Sequence, residues 1–280
     1  MAGFQIAVLQ TKVSKEKWEN LRRLEVLLEQ PPLQRADLVT LPEMFTCPYD
    51  TACFPEYAEE EGGASWRFCS ALAAKHRIYL AAGTMPERDR DGRIYNTAYV
   101  FDREGRQIAK YRKMHLFDIA VTGGQYFKES DTLDAGNEIV VFDTKFCRMG
   151  LCICYDFRFP ELSRLLTDRG AEVLLVPAAF NMTTGPVHWE NLFRQRAVDN
   201  QVFAVGIASA RDTLGGYVSW GHSIITGPWG NVQMQMEEGE DIYIGEICLD
   251  EVKRVRAELP LLAHRRKDIY RLTEGSEEKE

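Results

Sequence analysis

The sequence predicts a single layered α/β domain, and three observations carry that expectation. Short β-like apolar runs alternate with amphipathic runs at helical spacing, several β-like runs follow one another directly, and neither a short-period repeat nor a linker-like change of composition divides the chain. The 280 residues, 45% hydrophobic and 27% charged, can bury a large core; the length suits two domains or one α/β enzyme domain. Lys plus Arg is 34 against 42 for Asp plus Glu, a formal charge of −8, so no basic surface for nucleic acid or an acidic membrane is expected. The opening MAGFQIAVLQT has no cationic leader and reads as a first strand, not a signal peptide. No apolar run reaches the roughly 18 residues of a membrane span. Seven scattered cysteines are expected to be reduced thiols of a cytoplasmic protein.

Residues 4–10 form the first expected strand. Residues 15–29 carry Trp18, Leu21, Leu24, Val26 and Leu28 and predict a helix that Pro31-Pro32 stops. A second strand, 37–41, runs into Pro42-Glu43. A carboxylate there stands either in an exposed loop or at the carboxyl edge of a sheet, where α/β sites form. The stretch 45–61, with Pro48, Tyr49, Phe54, Pro55 and Tyr57, is a long aromatic loop suited to lining a pocket or covering a core edge. A helix at 66–76, a strand at 78–83, a charged turn at 88–92 and strands at 94–102 and 106–111 follow. Tyr111 to Asp118 is a strand end entering irregular chain. A loop holding Gly123-Gly124 and Glu129 then continues to about Gly136, and structureless loops of that length are usually functional. Strands at 138–143 and 148–153 flank a turn. Beyond lie a helix at 161–169, a strand at 173–176, a loop at 177–185, a helix at 188–200, strands at 202–209, 221–226 and 241–249, and a short helix at 250–257. The tail from Thr273, TEGSEEKE, is too polar to pack and is expected to be disordered.

Residues 147–162, CRMGLCICYDFRFPEL, hold the most informative change of pattern. An apolar run from Met149 to Ile153 delivers Cys154 to polar and aromatic residues, Pro160, and an amphipathic run at Leu162, Leu165 and Leu166. A cysteine where a buried strand turns into a helix suits nucleophilic work. Free N–H groups beyond it can stabilise an oxyanion, and a positive helix end lowers a thiol pKa. Taken alone, Cys154 reads first as a small core residue and Lys113 as a solvated charge, and only their combination reverses that. Strand alternation would put Cys152 and Cys154 on one face. These two with His115 raise a metal site, but a C-x-C without a second cysteine pair or a spaced His pair lacks a ligand set, and no metal is expected. His115 and His188 read as structural hydrogen-bonding residues, with a Cys–His dyad as the chemical alternative.

Glu43, Lys113 and Cys154 each stand just past an expected strand, within LPEMF, KYRKMHLFD and GLCICYDFRFPEL. In order and local sequence these motifs resemble the nitrilase (carbon–nitrogen hydrolase) superfamily, and the similarity runs from residue 4 to about residue 272. The resemblance implies a four-layer α-β-β-α sandwich over 1–272, with 273–280 as an acidic tail, and a mechanism that needs no cofactor. It implies roles as well. Glu43 takes the thiol proton and hands it to the departing amine, Cys154 attacks the carbonyl and leaves a thioester, and Lys113 with the Tyr155 backbone N–H holds the oxyanion. Water activated by Glu43 then releases the acid. Glu129 corresponds to a second glutamate of the superfamily and is expected to position Lys113 and the substrate. The residue types suit amide hydrolysis, since a free thiol of pKa about 8.5 is only a few per cent ionised at neutral pH and needs a base beside it.

CPYDTACFPEYAE, FKES, FNMTTGPVHWE, RQRAVDNQVFAV and YVSWGHS look most like the omega-amidase branch, which hydrolyses the terminal amide of 2-oxoglutaramate and 2-oxosuccinamate. A product with two carboxylates implies a compact pocket with a donor for the distal one. Arg158 is the first candidate, with an ion pair to Asp156 or Glu161 as its alternative. Tyr49, Phe117, Phe180, Asn181 and Thr184 are expected as pocket walls or as scaffold. The resemblance further implies a small-molecule amide substrate and a homodimer or larger homo-oligomer, to which residues 259–272 contribute. N-carbamoyl or aliphatic amide hydrolysis would keep Glu43, Lys113 and Cys154 and change the pocket loops. A non-catalytic scaffold and a redox-sensing thiol protein built on Cys152 and Cys154 are the alternatives of another class.

Overall fold

The computed structural model describes residues 2–122 and 126–275. One six-stranded sheet is built from β1 (Gly3–Gln10), β2 (Leu38–Thr40), β3 (Tyr79–Arg88), β4 (Ile94–Phe101), β5 (Gln107–Arg112) and β14 (Asp241–Cys248), in the order β14-β1-β2-β3-β4-β5. A second takes β8 (Val141–Asp143), β9 (Arg148–Leu151), β10 (Val173–Ala178), β11 (Phe203–Ala208), β12 (Ile224–Thr226) and β13 (Val232–Gln235), in the order β13-β12-β11-β10-β9-β8. A ribbon of β6 (Asp118–Ala120) and β7 (Tyr126–Lys128) lies between them in sequence. Both large sheets follow one plan. The strands β1, β2 and β3 are parallel, as are β9, β10 and β11, and antiparallel strands flank each group.

Strand periodicity explains the layering. Ile6 and Val8 of β1 join a core shared with Leu151, Val176 and Val205 of the other sheet. Ala7 and Leu9 point the other way, to Leu21, Leu24 and Leu28 of α1 (Lys17–Leu28) and Cys69, Leu72 and Ala73 of α3 (Ala64–His76). A short α2 (Phe54–Tyr57) interrupts the aromatic loop. The second sheet is covered by Leu162 and Leu166 of α4 (Pro160–Asp168) and Trp189, Phe193 and Ala197 of α5 (Gly185–Asn200), while α6 (Leu249–Glu258) contributes Val252. The α-β-β-α sandwich is therefore the observed architecture.

Several local expectations are corrected. The charged turn begins later, because β3 runs to Arg88; Glu87 is tolerated in the strand because Lys110, Arg112 and Thr97 all bind its carboxylate. The stretch expected to be structureless to Gly136 contains β7 and a 3-10 turn at Glu129–Asp131, while Gly123 and Gly124 lie outside the described residues. The edge strand β13, VQMQ, went unrecognised because Met234 is its one buried residue. Strand β9 stops at Leu151, so period-2 alternation does not govern Cys152 and Cys154. In the tail, Glu274 pairs with Arg169; residues 276–280, on which the expected disorder mostly falls, lie outside the described residues.

Candidate active site

Chain ends at one edge of the two sheets assemble the site. Past β2, the Leu41 N–H still bonds Ala81 O at 3.1 Å, and the Thr84 N–H bonds Pro42 O at 3.2 Å. This approach requires Gly83, whose φ is +52° and whose Cβ, if present, would lie 2.0 Å from Pro42 O. The Met44 N–H then donates to Thr84 Oγ1 at 2.8 Å, fixing Glu43 between anchored neighbours. Lys113 continues the β4–β5 ladder through its N–H to Asn96 O at 2.8 Å.

The lysine ammonium is fully buried and sits between two buried carboxylates, 2.9 Å from Glu43 Oε1 and 2.9 Å from Glu129. Glu129 is held in turn by the Phe117 N–H on Oε2 at 2.7 Å and the Tyr49 hydroxyl on Oε1 at 2.7 Å. Asn96 Nδ2 donates to Glu43 Oε1 at 2.8 Å. Burial alone would push the Lys113 ammonium down, but Glu129 and Glu43 outweigh it and hold it above its ordinary value, so it stays charged. Burial pushes the Glu43 carboxyl up; Lys113 opposes that rise and Glu129 adds to it.

Cys154, 5% exposed, has φ +48°, a left-handed conformation that costs a non-glycine residue about 1 kcal/mol or more. It opens a 3-10 turn, Cys154–Arg158, and α4 begins only at Pro160. The expected helix end that would lower the thiol pKa is therefore not there. Burial and then the Glu43 carboxylate push the thiol up, while Lys113 and a hydrogen bond from the Ala179 backbone N–H oppose them. Cys154 and Glu43 act on each other's ionisation, so the thiol proton has a carboxylate within its electrostatic reach. The Tyr155 N–H makes no turn or loop hydrogen bond to a backbone acceptor among the described residues, as befits the first donors of a helical turn.

Arg158 pairs with no acid among the described residues, which corrects the ion-pair alternative. Its Nη1 meets His188 Nδ1 at 2.9 Å, its Nη2 donates to Thr184 Oγ1 at 3.1 Å, and its guanidinium lies 4.6 Å over Phe180. Asp156 faces away, to Tyr111 and His115. Burial pushes the Arg158 guanidinium down, and Cys154, Tyr155 and Tyr217 oppose that fall. Asn181 Oδ1 accepts from the N–H groups of Thr183 and Thr184 and from Thr184 Oγ1, at 3.1, 2.8 and 3.0 Å. Phe117 and Phe180 are buried.

The carbon–nitrogen hydrolase family model matches residues 5–257. This chain belongs to the carbon–nitrogen hydrolase family. The chain is 44% identical to the omega-amidase NIT2 of Bos taurus and to that of Homo sapiens, each over 96% of this chain and 98% of the relative. Among solved structures, Saccharomyces cerevisiae Nit3, a member of branch 10 of the nitrilase superfamily, superposes with a TM-score of 0.86 at 38% identity, covering 95% of this chain and 97% of that one. The Caenorhabditis elegans NitFhit protein gives a TM-score of 0.90 at 34% identity, over 100% of this chain and 69% of that chain.

In this carbon–nitrogen hydrolase the structure brings Glu43, Lys113, Glu129, Tyr49 and Cys154 together and leaves the histidines elsewhere. His115 binds Asp156 at 2.8 Å and stacks on Phe159, and His188 binds Arg158. Cys152 is fully buried, and its thiol is pushed up by burial, then by Asp156. Among the described residues no His, Cys, Asp or Glu cluster could hold a metal. Three participants went unread in the sequence. Asn96 is a lone amide inside the apolar strand IYNTAYVF, a signal that could have been used. Tyr217, which donates to Ala179 O and packs 4.6 Å from the Tyr49 ring, lies in a Gly-rich loop with no pattern of its own. The Ala179 N–H is backbone and has no sequence signal.

Proposed function

We propose that this carbon–nitrogen hydrolase is a thiol amidase of the omega-amidase type, releasing ammonia from short omega-monoamides of dicarboxylic acids such as 2-oxoglutaramate and 2-oxosuccinamate. One observation carries it: Lys113 is clamped in full burial between Glu43 and Glu129, and the Glu43 carboxylate acts on the ionisation of the Cys154 thiol. Burying an acid pair around one cation costs stability that packing alone would not require. Glu43 accepts the thiol proton, and Cys154 attacks the amide carbon. Lys113 and the Tyr155 N–H hold the developing oxyanion, and Glu43 returns the proton to the leaving ammonia. Glu129 and Tyr49 hold Lys113 in place. Water then hydrolyses the thioester by the reverse use of Glu43.

Substrate choice follows from Arg158, an acid-free guanidinium in the turn that Cys154 opens, which suits the distal carboxylate. Phe180 and Thr184 bound its surroundings. No helix among the described residues is long and apolar enough to cross a membrane. We further propose a cytoplasmic location, supported by seven cysteines that are all free, and a homodimer or larger assembly. Exposed Val187 and Trp229 on a groove of about 750 Å³ along α5 support a helical face as its interface. The test is an amide panel. Ammonia release from 2-oxoglutaramate should exceed that from N-carbamoyl and simple aliphatic amides by about 100-fold in kcat/KM, as a charge-assisted contact allows. Preference for a carbamoyl compound would overturn the substrate assignment.

A further inference from the structure

A cavity of about 120 Å³ reaches Glu43 from the side of the loops at 47–50 and 209–219. Glu43, Tyr49 and Tyr217 belong to its wall, whereas Cys154, Lys113 and Arg158 do not. Two wall residues carry a buried oxygen with no hydrogen-bond partner among the described residues: Glu43 through Oε2 and Ser219 through Oγ. These residues are 1% and 3% exposed. An unpaired buried polar group is costly, and cavities walled by such groups are where proteins hold water, whereas dry cavities are apolar. At about 30 Å³ per molecule in the liquid, the space admits a few waters. Charge adds a second selection. Asp50 and Asp212 stand on this wall and no Lys, Arg or His does, so a carboxylate is repelled and a neutral molecule is not.

We propose that this cavity supplies the hydrolytic water to the thioester, with Glu43 Oε2 as the inner acceptor and Ser219 Oγ as a relay. The proposal rests on the thiol-amidase reading above. As the water oxygen bonds to the thioester carbon, its proton passes to Glu43; the C–S bond then breaks and Glu43 returns that proton to the departing sulfur. Nothing else is consumed. Water entering on this side meets its base directly, and no cation on this wall competes with Arg158 for an acid end.

The experiment compares pre-steady-state ammonia release from 2-oxoglutaramate by the wild-type chain and Ala210→Leu, a wall position with no part in the chemistry. Narrowing the port should slow deacylation alone. The expected result is a burst of about one ammonia per Cys154, a steady state slowed by about tenfold, and a parallel fall in KM that keeps kcat/KM within about twofold. A loss of kcat/KM without a burst, or wild-type kinetics, would overturn the port. Should the leucine variant fail to fold, Ser219→Ala removes an unpaired buried hydroxyl and reads the same signature at about threefold; unchanged deacylation there also overturns it. Wild type that releases no ammonia, or Cys154→Ala that still does, defeats the amidase reading itself and is seen before any port variant is compared.

Discussion

Cys154 combines a left-handed backbone with a thiol whose proton is held more firmly than usual. Its reactivity therefore depends on Glu43 being an empty acceptor. Because burial raises the Glu43 carboxyl above its usual 4.5, protonation of Glu43 on lowering the pH should abolish kcat/KM along an acid limb whose midpoint lies above that value. Glu43→Gln should remove that limb and cost about 10²–10⁴ in kcat/KM, checked by pH–rate profiles of both proteins. Lys113 is held up and stays charged through neutral pH, so it adds no limb there. Arg158 acts on binding. Arg158→Leu should raise KM for 2-oxoglutaramate by about 10- to 100-fold, the worth of a charge-assisted hydrogen bond, and leave a neutral aliphatic amide nearly unaffected.

At the scale of elements, the nucleophile turn is braced by one buried carboxylate. Asp156 accepts from the Tyr111 hydroxyl at 2.7 Å, from the His115 N–H and Nδ1 at 2.8 Å each, and from the Ile153 N–H at 2.9 Å. It thus ties β5 and the chain just past Lys113 to the turn that carries Cys154. Asp156→Ala should destabilise the fold by about 2–4 kcal/mol, read as a lower urea midpoint at unchanged slope. The long periodic helices and the apolar strands were legible because their burial patterns repeat. The edge strand β13 and the ribbon of β6 and β7 were not, since strands of three or four residues with few buried positions leave no period to read. Cys154 was legible as a nucleophile candidate, but the 3-10 turn that presents it was not. That turn is held by Asp156, a contact that spans 41 residues to His115 and has no local signature.

Across the whole molecule, two sheets of matching strand order place the ends of β2 and β9 near one another, and Glu43, Lys113, Glu129 and Cys154 converge there from four separate segments. The layered class could be read from alternation, whereas the face-to-face pairing of two equivalent sheets came from family resemblance. Asn96 and Tyr217 show what one dimension conceals: their neighbours in the site lie tens of residues away. The same convergence makes a single thiol answerable for turnover. The most direct measurement is rapid-quench mass spectrometry of the protein mixed with 2-oxoglutaramate, with peptide mapping of any acyl adduct. The predicted result is an acyl thioester on Cys154 that decays at the rate of acid formation, with neither adduct nor ammonia from Cys154→Ala. Turnover that persists in Cys154→Ala, or an adduct on Cys152, would contradict it.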